Sequence, residues 1–357
     1  MTRKATAARP SPARTRAQEV RRRSRGPAAA DLLTLAADNN TTRPKQPRSN
    51  GTRRNSQQLD TSMLRFAPLI REAIDTIDGT VMGLVERGRQ GSLDERDGAF
   101  IERQLAVLGP LTDVYFRGEV RGLNNIPAEG PVLIVGNHSG GLVTPDTWVF
   151  ETNFFRHFGV DRPTYALAHN VVMGLPVIGS FLRRMGSLPA HPDNARAALR
   201  AGAAVLVYPG GDEDVFRPWS ERNRIHLARR TGFVRLALQE RVPIVPVVSV
   251  GGHETVYIPG DGRGLARLLG LERFRIKTLP MVFAPPWGLS PGDFLFHLPL
   301  PAKITVQCGE PIDFAARFGD LDPRDPEVIW ACYEYVERRM QAILDELAAE
   351  RQYPVIG

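Results

Sequence analysis

Cysteine is scarce here, long apolar runs are absent, and the signatures of metal or nucleotide binding are missing. The 357 residues include two cysteines, Cys308 and Cys332, too few for a disulfide framework and part of no C-x-x-C or Cys/His pattern. Both fall in apolar stretches and read as buried free thiols, which fits a reducing compartment. No run of 18 or more apolar residues occurs, so a membrane-spanning helix is not expected and any lipid contact is peripheral. The N-terminus lacks the apolar core of a secretory signal, while its Arg, Ser and Ala content leaves a mitochondrial or chloroplast transit peptide open. Ser139 sits in Gly136-Asn-His-Ser-Gly, which is not the G-x-S-x-G elbow of a serine hydrolase. Gly260-Asp-Gly262-Arg-Gly264 lacks the spacing and preceding strand of a dinucleotide site. There is no P-loop, zinc signature or internal repeat.

What is present is unevenly charged. Residues 1–54 carry 14 Lys/Arg against 3 Asp/Glu, a net +11, whereas the remaining 303 residues are at −4. The basic character therefore describes a tail, and a nucleic-acid-binding fold does not follow from it. Residues 1–60 have few large apolar side chains and read as a disordered basic tail, with one apolar island beginning at Asp31. The tail suits attraction to anionic lipid or nucleic acid as well as simple solvation.

Residues 61–114 read as a helical N-terminal segment, with one amphipathic helix over 61–90 and a second over about 95–116. From 115 to 315, short apolar runs (Val132–Val135, Tyr165–Ala168, Ala203–Tyr208, Ile244–Val250, Ile304–Cys308) alternate with helical stretches near 145–158, 192–201 and 220–240. This is the pattern of an α/β layered domain with a mostly parallel central sheet flanked by helices. Over 316–357, Asp325 caps and Pro326 opens an amphipathic C-terminal helix that should pack on the domain. Between 264 and 302, basic residues mix with Leu and are followed by Pro-broken apolar loops, a composition suited to a membrane interface or lipid groove.

Two segments carry candidate chemistry. In Pro131-Val-Leu-Ile-Val-Gly-Asn-His-Ser-Gly-Gly-Leu-Val-Thr-Pro-Asp146 a strand ends at Gly136 and His138 emerges beyond its carboxyl end, where α/β sheets place reactive groups. Thr144-Pro145 reads as N-cap and first helical residue, which puts Asp146 in a first turn. An imidazole oriented by a carboxylate can take a hydroxyl proton. Ser139-Gly140-Gly141 supplies the backbone freedom to bring the two together, and Asn137 belongs to the same grouping. In Val205-Leu-Val-Tyr-Pro-Gly-Gly-Asp-Glu-Asp-Val-Phe-Arg217, Tyr208, Pro209, Gly210 and Gly211 form a second strand-ending turn, whose amides suit an oxyanion or a phosphate. Asp212, Glu213 and Asp214 are consecutive and do not give metal-ligand spacing. Arg217 is the candidate anchor for a polar head group.

Taken in order, four blocks resemble the glycerolipid/phospholipid acyltransferase family typified by bacterial lysophosphatidic acid acyltransferase. They are Asn137-His138 with Asp146, Met173 to Pro189, Tyr208-Pro-Gly-Gly211 and Val242-Pro-Ile-Val-Pro246. Three departures stand out. Seven residues separate His138 from Asp146 where the family usually has four. Gly210 replaces the Glu of the third block, with Arg217 the nearest Arg, a Pro-Gly-Gly form closer to diacylglycerol- and phytyl-ester-type enzymes. His191, Asp193 and Asn194 stand where the second block has its phosphate-binding Arg.

The resemblance implies an O-acyltransferase moving a fatty acyl group from acyl-CoA or acyl-carrier protein to a lipid hydroxyl. His138 is then general base and Asp146 its orienter, with Asn137, Ser139, Gly140, Gly141, Tyr208, Pro209, Gly210, Gly211 and Arg217 around the substrates. It implies no cofactor or metal beyond the co-substrate, no specific nucleic acid, and a peripheral position on the cytoplasmic face of a membrane. A noncatalytic lipid-binding protein of the same fold and a lipid esterase are the rival expectations.

Overall fold

The computed structural model describes residues 32, 79–80, 82–260, 262–268, 280–291, 293, 297–353 and 355–356. The tail expected over 1–60 (Leu32 apart), the 61–78 part of the first expected helix and the basic stretch over 269–279 lie outside the described residues. Leu32 is helical and fully buried in the larger core cluster. Leu32 belongs to the apolar island noted at Asp31.

Seven strands form one sheet: β1 (Glu119–Arg121), β2 (Val132–Gly136), β3 (Thr164–Ala168), β4 (Ser187–Pro189), β5 (Ala204–Val207), β6 (Ile244–Val250) and β9 (Thr305–Cys308). Their order is β1-β9-β6-β2-β5-β3-β4, with every pair parallel except β6 and β9. Strand β2 lies between β5 and β6 and runs parallel to both, so the loops leaving all three gather at one carboxyl edge.

The central strands β2 and β5 are wholly apolar and buried, and β6 nearly so, because both faces of the sheet are covered there. Leu133, Val135, Val205, Val207, Ile244 and Val248 face one cluster, while Val132, Ile134, Ala204, Leu206, Val245 and Val247 face the other. Helices α1 (Gly98–Pro110), α2 (Pro145–Phe158) and α3 (Pro176–Met185) supply Ile101, Val149, Phe150, Phe154 and Met185 to the second cluster. Helices α4 (Pro192–Arg200), α6 (Gly232–Glu240), α8 (Phe314–Phe318) and α9 (Pro326–Glu350) cover the first. The short α5 (Gly211–Val215) follows β5, and α7 (Arg263–Leu268) follows the β6 loops.

The expected capping of α9 is present: Asp325 accepts from the Glu327 amide and Pro326 takes the first position. Cys308 and Cys332 are buried free thiols, and burial pushes both up to about 12. The helix expected from residue 220 begins only at Gly232, because Ala228 and Arg229 take left-handed backbone (φ 51° and 55°) that no α-helix can include. The apolar loops expected after residue 280 include a two-stranded antiparallel hairpin, β7 (Met281–Ala284) and β8 (Gly288–Pro291). Pro285 and Pro286 sit in its turn, where a missing amide costs no ladder bond.

Leu344 on α9 has no exposed surface. Leu344→Ala is expected to lower the free energy of unfolding by about 2–5 kcal/mol, read from chemical denaturation with an unchanged slope.

Candidate active site

The carboxyl ends of β2, β5 and β6 deliver His138, the Tyr208–Gly211 turn and His253 to one place. Asn137 prepares the exit from β2. Its amide donates to the Ser249 carbonyl at 3.0 Å and accepts from the Ser249 N–H at 2.8 Å, extending the ladder to β6 by one residue. Asn137 is buried, and both of these bonds hold it to β6.

His138 is gripped by its backbone: its N–H donates to Asp214 Oδ2 at 2.6 Å. Its ring lies flat on Tyr208, with centroids 4.0 Å apart and planes at 13°. Nδ1 is buried 3.6 Å from Asp146 Oδ2 and has no hydrogen-bond partner, while the side chain as a whole is 17% exposed. That separation is an ion-pair distance slightly longer than a hydrogen bond, as is common in unliganded sites. Asp146 is itself fixed, since Oδ2 accepts from the Ser139 N–H and hydroxyl at 2.9 and 3.1 Å and Oδ1 accepts from the Thr147 N–H. Ser139 is therefore buried, with its N–H and hydroxyl both directed at Asp146.

The seven intervening residues reach Asp146 by turning left-handed three times, at Gly140 (φ 88°), Gly141 (φ 65°) and Thr144 (φ 46°). Thr144 precedes Pro145 as expected, but its side chain makes no capping bond. The loop is held from outside: Asp293 Oδ2 accepts from the Leu142 N–H at 2.7 Å, and a side chain on Gly141 would collide with that carboxylate. His297 Nδ1 meets both oxygens of Asp293 at 2.8 and 2.9 Å, so Nδ1 carries the proton, and Nε2 is buried without a partner. This second His–Asp pair is sealed, whereas the first is partly open.

Arg217 is not where a head group could reach it. It is buried, paired with Asp214 at 2.7 Å, donates to the Glu221 carbonyl, and lies 2.9 Å from His253 Nε2. An arginine only donates, so His253 accepts at Nε2 and protonates at Nδ1. Burial, then the nearby Arg217, holds His253 well below the ordinary histidine range and keeps it neutral. Burial pushes the Asp214 carboxyl up, while Arg217 and then the His138 amide pull it back. The structure thus places the expected anchor in a buried ion pair that balances Asp214.

In the β5 turn, a Cβ on Gly210 would run into the His226 carbonyl, so glycine is required there. The Gly211 N–H donates to the Tyr208 carbonyl and is not offered to a ligand, and the Pro209 carbonyl accepts from Arg230. The Tyr208 hydroxyl accepts from Thr147, and burial raises the phenol well above its ordinary value. Among the described residues, no group of three or more His, Cys, Asp or Glu is gathered to hold a metal, and no helix is long and apolar enough to cross a membrane.

Sequence reasoning weighed Asp214 only as a metal ligand and passed over His253, Asp293 and His297, and also Glu151 on α2. Burial pushes Glu151 up to about 8. A carboxyl that holds its proton more tightly when folded contributes stability fully below about pH 4.5, and the contribution is lost as pH rises toward 8. Glu151→Gln should therefore melt progressively higher relative to the parent protein between pH 5 and pH 9, measured by calorimetry, with little difference at the acid end.

Residues 117–250 match the family model described as Acyltransferase, a span that includes β2, β5 and β6 with His138, Asp146 and the Tyr208–Gly211 turn. An uncharacterized protein of Mycobacterium tuberculosis is 34% identical over 256 residues, covering 71% of this chain and 68% of its own. The human protein named DGAT1/2-independent enzyme synthesizing storage lipids is 28% identical over 229 residues, covering 64% of this chain and 61% of its own. Phytyl ester synthase 2, chloroplastic, of Arabidopsis thaliana is 28% identical over 245 residues, covering 65% and 34%. Among solved structures, the 1-acyl-sn-glycerophosphate acyltransferase PlsC from Thermotoga maritima aligns with a TM-score of 0.43 at 16% identity, over 70% of this chain and 81% of that one. The family model over the site strands and the mycobacterial relative at 34% identity place this chain in the acyltransferase family.

Proposed function

We propose that the protein transfers a fatty acyl group from acyl-CoA, or from acyl-carrier protein, to the hydroxyl of a glycerolipid or another lipid, working as a peripheral enzyme on the cytoplasmic face of a membrane. The observation that carries this reading is the partly open imidazole of His138, with Nδ1 turned inward to the buried, fully bonded Asp146.

In this scheme Nδ1 holds a proton facing Asp146, leaving Nε2 as the base. Nε2 takes the acceptor hydroxyl proton as the hydroxyl oxygen bonds to the thioester carbonyl carbon. Asp146 favours the imidazolium that forms, and the Tyr208 ring keeps its plane fixed. The tetrahedral oxyanion then collapses, the carbon–sulfur bond breaks, and the thiolate leaves with the proton from the imidazolium. The products are an acyl ester and a free thiol. The thioester is already activated, so no step requires a metal, cofactor or covalent acyl-enzyme. Of the two turn amides, Gly210 is assigned to the oxyanion, since the Gly211 amide is spent on Tyr208.

The names of the human and plant relatives, storage-lipid and phytyl-ester enzymes, support a neutral lipid hydroxyl as acceptor. The commitment of Arg217 to Asp214 and His253 supports the same choice, because it withdraws that cation from phosphate binding.

His138→Ala is expected to lower kcat/KM for acyl transfer by about a hundredfold or more while leaving the melting temperature close to that of the parent protein. Labelled acyl-CoA incubated with a membrane lipid extract, with products read by mass spectrometry, measures this. Unchanged transfer by the variant contradicts the assignment, and acyl release to water with no acceptor product assigns an esterase instead.

A further inference from the structure

Antiparallel hairpins with one buried face normally turn polar side chains to water on the other. The β7–β8 hairpin does not. Val282 and Ala284 pack inward with Val256 and Ile258. On the opposite face, Phe283 pairs across the strands with Leu289 and across a bridge with Tyr257. These three form one row, and Trp287 in the turn and Leu298, whose N–H donates to the Pro285 carbonyl, extend it. All five are between 44% and 60% exposed. Residues 280–291 contain no charged side chain.

The row adjoins the catalytic edge. Two residues beyond β8, Asp293 holds the Leu142 N–H of the loop between His138 and Asp146. Thr255, two residues before Tyr257, accepts from the Leu300 N–H at its carbonyl, and its hydroxyl lies where it would crowd any side chain placed on Gly140. Six residues beyond Tyr257, α7 carries exposed Arg263 and Arg267.

We propose that this face is a bilayer-docking surface: the Tyr257–Phe283–Leu289 row with Trp287 and Leu298 enters the interfacial layer of a lipid membrane, and Arg263 and Arg267 lie at the level of its anionic head groups. Aromatic side chains with a polar atom favour that depth, where one part of the ring is apolar and the other wet. Apolar insertion and basic attraction add in such peripheral contacts. An exposed contiguous apolar face of this kind on a water-soluble fold marks an interaction site. The proposal rests on the acyl-transfer reading only for its purpose, which is to bring the His138 loop to lipid hydroxyls at the membrane surface.

The test is flotation of the full chain with vesicles of phosphatidylcholine and phosphatidylglycerol, without any acyl donor, in low salt and in 0.5 M salt. The high-salt arm screens attraction from the basic tail and leaves apolar insertion in place. The triple variant Phe283→Ser, Trp287→Ser, Leu289→Ser is expected to lose vesicle partitioning in high salt by about tenfold or more, with an unchanged melting temperature because none of the three is buried. Quenching of tryptophan fluorescence by brominated lipid is expected in the parent protein and should be much reduced in Trp287→Phe. Equal partitioning of the triple variant overturns the proposal, as does equal quenching in Trp287→Phe. A triple variant that binds vesicles normally but changes from dimer to monomer also overturns it, and assigns the face to a second copy. Because no acyl donor is present, the result stands whether or not His138 proves to be the base.

Discussion

A carboxylate with no exposed surface holds the site together. Asp214 lies at the end of α5, accepts the His138 N–H and pairs with Arg217, which in turn bonds His253 at the end of β6. One buried ion pair thus ties the loops of three adjacent parallel strands. Such a pair is expensive to desolvate and adds little net stability, while removing one partner leaves an uncompensated charge in the core. Its value here is positional. The His138 backbone is fixed by a charge-assisted bond, and the imidazole is left free to face Asp146 and the solvent edge.

The two His–Asp pairs at this edge behave differently because of how they are packed. His297 is sealed against Asp293 with two short contacts, and its carboxylate is spent holding the Leu142 amide. His138 is loosely paired and partly open, and its carboxylate is oriented by other groups. The first arrangement suits support of a strained loop; the second suits moving a proton. The loop needs that support because three of its residues take left-handed backbone and one of these is a β-branched threonine.

Much of the architecture is readable from apolar runs alone. Strands β2 and β5 are short uninterrupted apolar segments, and β3, β6 and β9 mainly apolar ones, because both sheet faces are covered, and α2 and α9 announce themselves by a proline at the first position. Strands β1 and β4 are three residues each, too short for any periodicity to show. His138 and Asp146 are legible because one follows a strand end and the other sits in a helix's first turn. Asp214 is not legible, since its burial is a tertiary fact and in sequence it is one of three consecutive acids. Arg217 is ambiguous in sequence for the same reason: a cation one helical step from an acid can be a ligand anchor or an ion-pair partner, and its burial beside Asp214 is a tertiary fact. Asp293 lies 151 residues from the loop it holds, and no local pattern connects them.

The proposed chemistry depends on the inward-facing Nδ1 of His138 carrying the proton, directed at Asp146, and leaving Nε2 as the base. Nitrogen-15 NMR of histidine-labelled protein near pH 8, with His138 assigned by substitution, measures this tautomer directly. The account predicts a protonated Nδ1 and an unprotonated Nε2. A proton found on Nε2, with Nδ1 bare toward the carboxylate, would contradict it.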